Sequence, residues 1–225
     1  EELDIENFPF AAIRQISIAA KTVTAFRISY VGEQGWELHM RYEDGLAVWD
    51  ALRGIGVMAV GVETYANSRR LEKSLRLQNA DLHTQYNLIE AALARPKVKE
   101  ADFRGKAKHV EYRERDHQPA MLCTLVMTDN IDANGVARYP VGNLPVMDPD
   151  TGKTLIDELG RRSYTTSIAF GPSIGKNIAL AYLPWDYCQE GRKLTVSYFD
   201  EIYPVEVVGI GYKPLYDPEN LKPRS

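Results

Sequence analysis

Tyr30, Glu33, Trp36 and Glu37 fall within eight positions, in the order Tyr30-Val-Gly-Glu-Gln-Gly-Trp-Glu37. A tyrosine at the end of one extended run and a glutamate on the next can converge on a flat heterocycle. A carboxylate accepts two N–H bonds side by side, the pattern an amino-pyrimidinone edge offers, while an aromatic ring stacks on the face. The same residues also suit a hairpin turning at Gly32 and Gly35, with Trp36 in the core, and the pattern alone leaves both readings open.

Other chemistries find less support. Gly171-Pro-Ser-Ile-Gly-Lys176 has three residues between its glycines, not four, and Asn177 follows the lysine. A phosphate loop needs the longer spacing and a hydroxyl residue there, so a β-turn before a strand is the better reading. His39, His83, His109 and His117 form no H-x-x-x-H or H-E-x-x-H pattern, and no metal site is expected. There is no G-x-S-x-G elbow. Asp148, Asp150 and Gly152 lack the closing glutamate of a calcium loop and read as a type I turn. Cys123 and Cys188 belong to no C-x-x-C or Cys/His cluster and are expected to be reduced thiols of a cytoplasmic protein.

The elements that must position these residues follow from periodicity. Residues 22–30 are β-branched and aromatic, and 36–40 alternate like a second strand. Asp44 could cap a helix carrying Leu46, Trp49 and Leu52 at helical spacing, ended by Gly54 and Gly56. Further helices are expected over 64–78 and 85–94. Residues 97–118 are highly charged and read as a linker with a short surface helix. From Met121 onward, short β-prone runs alternate with Gly, Pro and Asp turns, as in an antiparallel sandwich or barrel. The expected class is α+β, divided into residues 1–118 and an all-β domain over 119–225.

Composition narrows the function. The 225 residues carry a net charge of −4, which disfavours a nucleic-acid binder. No run of 18 apolar residues occurs, so no membrane span is expected. The acidic start, without an initiator Met or a signal-peptide pattern, leads to the expectation of a fragment or a processed chain.

Tyr30-Val-Gly-Glu-Gln-Gly-Trp-Glu37 is similar to the signature Y-x-G-E-x-G-[FWY]-E of the tetrahydrofolate-dependent aminomethyltransferases. This is the family of the glycine-cleavage T-protein, also fused to sarcosine and dimethylglycine dehydrogenases. Trp49-Asp-Ala-Leu52, Arg70-Leu-Glu-Lys73, Glu90-Ala-Ala-Leu93, Asp102-Phe-Arg-Gly-Lys106 and Ser173–Ala181 resemble further family blocks, in order along the chain. The resemblance implies a T-protein-like folate-binding α+β region, then a C-terminal antiparallel β-barrel. It implies tetrahydrofolate as cofactor, with Tyr30 and Glu37 lining its pocket and Trp36 beside them. Where many members carry an Arg and an Asp for the folate's glutamate tail, this chain has Ala66 and Asn67, so Arg69 or Arg70 would have to substitute. The family's catalytic Asp lies in an upstream segment absent here.

In wording, 62–82, 94–109, 160–184 and 212–225 look most similar to bacterial tetrahydrofolate-dependent aryl O-demethylases. That branch implies a lignin-derived methoxybenzoate as methyl donor and Tyr30 as the tyrosine serving demethylation. The alternative is an amine branch, of glycine-cleavage, sarcosine or dimethylglycine type, acting on a methylamine. A third is a folate-binding module without chemistry. In each case the N-terminal half of the usual enzyme would be the partner completing the pocket.

Overall fold

The structure, a computed structural model, describes residues 3–224. Strands β1 (Ile13–Ile18), β2 (Lys21–Phe26) and β3 (Glu37–His39) form an antiparallel sheet in that order, with Ile16 opposite Val23 and Ala25 opposite Leu38. Val23 and Ala25 alternate onto the buried face. Helix α1 (Gly45–Gly54) follows, and its expected apolar stripe faces outward: Val48 is buried, whereas Leu46 is 70% and Trp49 54% exposed. Asp44 precedes the helix without a capping bond and instead pairs with Lys21 at 2.9 Å.

Three expectations are corrected. The chain does not make a tight hairpin at Gly32 and Gly35, because residues 27–36 form a ten-residue connection and β3 is three residues long. Arg27 opens this connection: it is fully buried, its guanidinium donates to the Phe8 carbonyl, and its backbone still pairs with Ala11 and Ala12. The helix over 64–78 is a π-wound turn, Thr64–Arg69, running into α2 (Arg70–Glu72), and it stops at Ser74, whose φ is +55°. Residues 85–94 are turns, not a helix. The Asn87 side chain accepts the Ile89 and Glu90 amides, and Ala92 at φ +52° ends the turn before a helix can propagate. The short surface helix in the charged stretch is α3 (Lys106–Arg113).

The all-β part is a six-stranded antiparallel sheet: β4 (Ala120–Met127), β5 (Val146–Met147), β6 (Thr165–Gly171), β7 (Lys176–Pro184), β8 (Lys193–Tyr198) and β9 (Glu201–Ile210). Its order is β5-β8-β9-β4-β7-β6. Register shifts at Thr124/Leu125 and Thr165/Ser167 mark bulges, which bend strands and curl a sheet into a half-barrel. Both faces of its centre are covered. Cys123, Leu125, Ala179, Ala181, Leu183, Val196 and Val207 fill the inner core. Leu122, Ile178, Leu180 and Tyr182 pack on the other side against Leu71 and Ala91. That double burial is why Met121–Met127 reads as a continuous apolar run rather than an alternation. It also means residues before 118 supply one wall of the β domain. Asp148 accepts the Asp150 and Thr151 amides in its turn, and the Gly171–Lys176 stretch is the turn from β6 to β7. Among the described residues no helix is long and apolar enough to cross a membrane.

Candidate active site

Tyr30, Glu37 and Tyr65 come together from three elements. Tyr30 sits in the long connection after β2, Glu37 opens β3 opposite Phe26, and Tyr65 belongs to the π-wound turn. The Tyr30 and Tyr65 rings are 5.5 Å apart and tilted by 50°. The Tyr30 hydroxyl donates to the Arg76 carbonyl at 3.3 Å. Burial raises the Tyr30 phenol above its ordinary range, with Arg70 opposing and Asp81 adding to the shift. Tyr65 is also raised, by burial first and then by the charge of the Glu37 carboxylate. Both phenols are therefore neutral O–H donors at neutral pH. Glu37 is 43% exposed, and the His39 Nε2 lies 3.7 Å from its carboxylate. Tyr65 is 44% exposed and was not singled out by the sequence. The signal available was its place one residue before the Ala66-Asn67 substitutions.

The loop carrying Tyr30 is fastened from below. Gly32 has φ +78°, and a Cβ there would lie 2.4 Å from the Lys73 side chain. Only glycine meets both demands. Lys73 is buried, and its ammonium donates to the Tyr216 and Asp217 carbonyls at 3.1 and 2.7 Å, drawing the C-terminal segment against the loop. The Ser29 hydroxyl accepts the Glu33 amide at 3.1 Å. Glu33 itself accepts from Arg69 at 2.6 Å and from the Tyr216 hydroxyl at 3.0 Å, so it is a strut of the loop.

The remaining residues singled out in the sequence are placed deeper. Trp36 lies between the Arg27 guanidinium, 5.4 Å from its ring, and Phe8, 6.3 Å away, and its indole N–H is buried without an acceptor. Arg69 is committed to Glu33, to Glu72 at 2.6 Å and to Ser173 at 2.7 Å, and stacks over Tyr216. Arg70 is wholly buried, donating to Asp81 at 2.6 Å and to Ser167 at 2.5 Å. These bonds tie both guanidinium groups to protein acceptors. Asn67 donates to Glu63 at 2.7 Å. Glu37 with two neutral phenols is a set of donor and acceptor groups that fits the N–H-rich edge of a pterin, and the partly exposed rings offer it a face.

The GCVT N-terminal domain matches residues 1–98, and the glycine cleavage T-protein C-terminal barrel domain matches residues 141–217. The two domains together take in well over half of the chain, and the chain belongs to the glycine cleavage T-protein family. The aminomethyltransferases of that family use tetrahydrofolate. Human mitochondrial dimethylglycine dehydrogenase is 31% identical over 214 residues, which is 92% of this chain and 23% of that protein. The aminomethyltransferase of Exiguobacterium sibiricum is 31% identical over 209 residues, 88% of this chain and 52% of the relative. The fold is shared with the aminomethyltransferase T of the glycine cleavage system from Bartonella henselae, at TM-score 0.75 and 21% identity over 93% of this chain and 54% of that one. The chain thus spans about half the length of these aminomethyltransferases and under a quarter of the dehydrogenase.

Proposed function

We propose that this chain is the folate-gripping portion of a tetrahydrofolate-dependent one-carbon transferase of the amine branch. The observation that supports it most is the convergence of Tyr30, Glu37 and Tyr65 in a chain whose relatives, across nearly its whole length, are dimethylglycine dehydrogenase and aminomethyltransferases. When bound, tetrahydrofolate supplies the nucleophilic nitrogens that take up the one-carbon unit. Glu37 is the acceptor for the pterin N–H groups. Tyr65 presents an open ring beside it. Tyr30, held on the Arg76 carbonyl and kept protonated by burial, is the catalytic O–H donor or proton relay, a role worth about 10²–10⁴-fold in rate. Trp36, Arg69 and Arg70 hold the loop and turn that carry these groups, and the folate's glutamate tail is left to other cations.

A second reading is O-demethylation of a methoxybenzoate with methyl transfer to folate N5. A neutral, half-buried phenol at Tyr30 favours it, since such a group can donate to a departing aryl oxygen. The test is product analysis with the longest available polypeptide carrying this chain, given tetrahydrofolate and, separately, dimethylglycine, sarcosine, vanillate, syringate and 3-O-methylgallate. 5,10-Methylene-tetrahydrofolate from an amine is the expected outcome. 5-Methyl-tetrahydrofolate with a catechol or gallate product moves the assignment to the aryl ethers, and no product from any substrate overturns both. Glu37→Gln should weaken tetrahydrofolate binding by about 1.5–3 kcal/mol, roughly 10- to 150-fold in Kd by calorimetry. An unchanged Kd removes Glu37 from the pocket.

A further inference from the structure

The chain has two cysteines, 65 residues apart, and the fold brings their sulfurs to 3.8 Å. Their settings differ. Cys123 lies in the middle of β4, paired with Ala181 of β7 on one side and Ile210 of β9 on the other, and it is fully buried. Cys188 lies beyond the end of β7, just after the 3-10 turn Trp185–Tyr187, and is partly exposed. Its backbone is held by a single local bond, from its amide to the Trp185 carbonyl at 3.0 Å, and its sulfur lies 3.3 Å from the Leu183 and Pro184 carbonyls.

A disulfide requires sulfurs about 2.05 Å apart. Two ladders fix Cys123, so the remaining movement falls on Cys188, which sits in a connection rather than a strand. The chemistry is ordered in the same sense. The Cys123 S–H is placed to donate to the Cys188 sulfur. That contact draws the Cys188 thiol below its ordinary range, while the same contact and burial hold Cys123 well above it. The cysteine that is partly exposed is also the one whose thiol is drawn down, which suits an attacking thiol.

We propose that Cys188 and Cys123 are the attacking and resolving thiols of a site that reacts with low-molecular-weight disulfides and closes to an intrachain Cys123–Cys188 bond. The Cys188 thiolate attacks one sulfur of the small disulfide, and an S–S bond forms as the other half leaves as a thiolate. Cys123 passes its proton to that leaving thiolate and attacks the Cys188 sulfur, expelling the second small thiolate, which takes its proton from solvent. Two protein thiols are oxidised and one disulfide is reduced to two thiols. The product ties the centre of β4 to the β7–β8 connection.

The experiment exposes the native chain to oxidised glutathione without oxygen, then alkylates it and measures intact mass and non-reduced peptides. The expected result is a chain lighter by two hydrogens, unalkylated, with one peptide pair joined through Cys123 and Cys188. C123S should trap glutathione on Cys188, and Cys123 in native C188S should be alkylated at least tenfold more slowly than Cys188 in native C123S. Two free thiols after exposure, glutathione on both cysteines, or chains linked to one another would each overturn the proposal. The wild-type measurement decides even if a variant fails to fold.

Discussion

Strand β4 hides seven of its eight residues, whereas β1 hides none of its six. The six-stranded sheet is covered on both faces by apolar side chains. The three-stranded sheet buries Phe8, Val23 and Ala25 and leaves Ile13 59% exposed. What joins the candidate site to the larger sheet is largely polar: Arg69, Arg70, Lys73, Glu33, Glu72 and Asp81, several of them wholly buried. One region is held by area removed from water, the other by geometry-dependent bonds. The first depends on filled volume and the second on bond direction, and it is the second that fixes the loop and turn carrying Tyr30 and Tyr65.

The sharpest break in this arrangement is Asp81→Ala. Asp81 is fully buried and accepts from Arg70, from the Leu77 amide at 2.8 Å, from Ser167 at 2.8 Å and from Thr166. Removing it leaves the Arg70 guanidinium buried without its counter-ion, which costs about 3–5 kcal/mol. Chemical denaturation should show this loss, and Asp81→Ala together with Arg70→Met should recover much of it. No recovery in the double variant would mean that the ion pair is not the link between the regions.

The next test acts inside the larger sheet. Leu125→Ala should cost about 2–5 kcal/mol and shift its main unfolding transition, because the cavity lies in a core with no slack. Val23→Ala, in the smaller sheet, should speed amide exchange in β1–β3 and leave that transition in place. Equal effects of the two on one transition would show a single cooperative unit.

The same contrast explains what the sequence disclosed. The β runs after residue 120 were legible because apolar burial leaves a direct trace in residue type, and α1 was legible from its spacing. The helices expected at 64–78 and 85–94 do not form at that length, because Arg70 and Lys73, helix-compatible in isolation, take tertiary bonds that end the winding, and Asn87 takes turn bonds of its own. The Tyr30…Glu37 spacing was visible, and the contribution of Tyr65 was not, since its place beside Ala66 and Asn67 is a weak local mark for a residue that meets Tyr30 across 35 positions. The proximity of Cys123 and Cys188 was hidden for the same reason.

Gly32→Ala probes the polar region more gently. Both the positive φ and the Lys73 contact oppose a side chain there, at a cost of about 1–3 kcal/mol. The strain falls on the loop carrying Tyr30, so tetrahydrofolate affinity should fall by more than overall stability does. A variant with wild-type affinity and reduced stability would separate the loop from the site.

The smallest effect is expected at Leu46→Gln. Leu46 is 70% exposed on the outward stripe of α1, beside Trp49 and the 99% exposed Tyr42. Helical periodicity would have placed this residue in a core, where its loss would cost several kcal/mol; an exposed position predicts a change within about 0.5 kcal/mol. Val48→Ala, one turn-face away and buried, supplies the internal control with a larger loss. If Leu46→Gln proves as costly as Val48→Ala in dilute monomer, the stripe is covered in solution, and α1 belongs to the apolar rather than the polar half of the comparison. If the cost appears only as protein concentration rises, the cover is a second copy of the chain, because association adds stability by mass action whereas an internal contact does not.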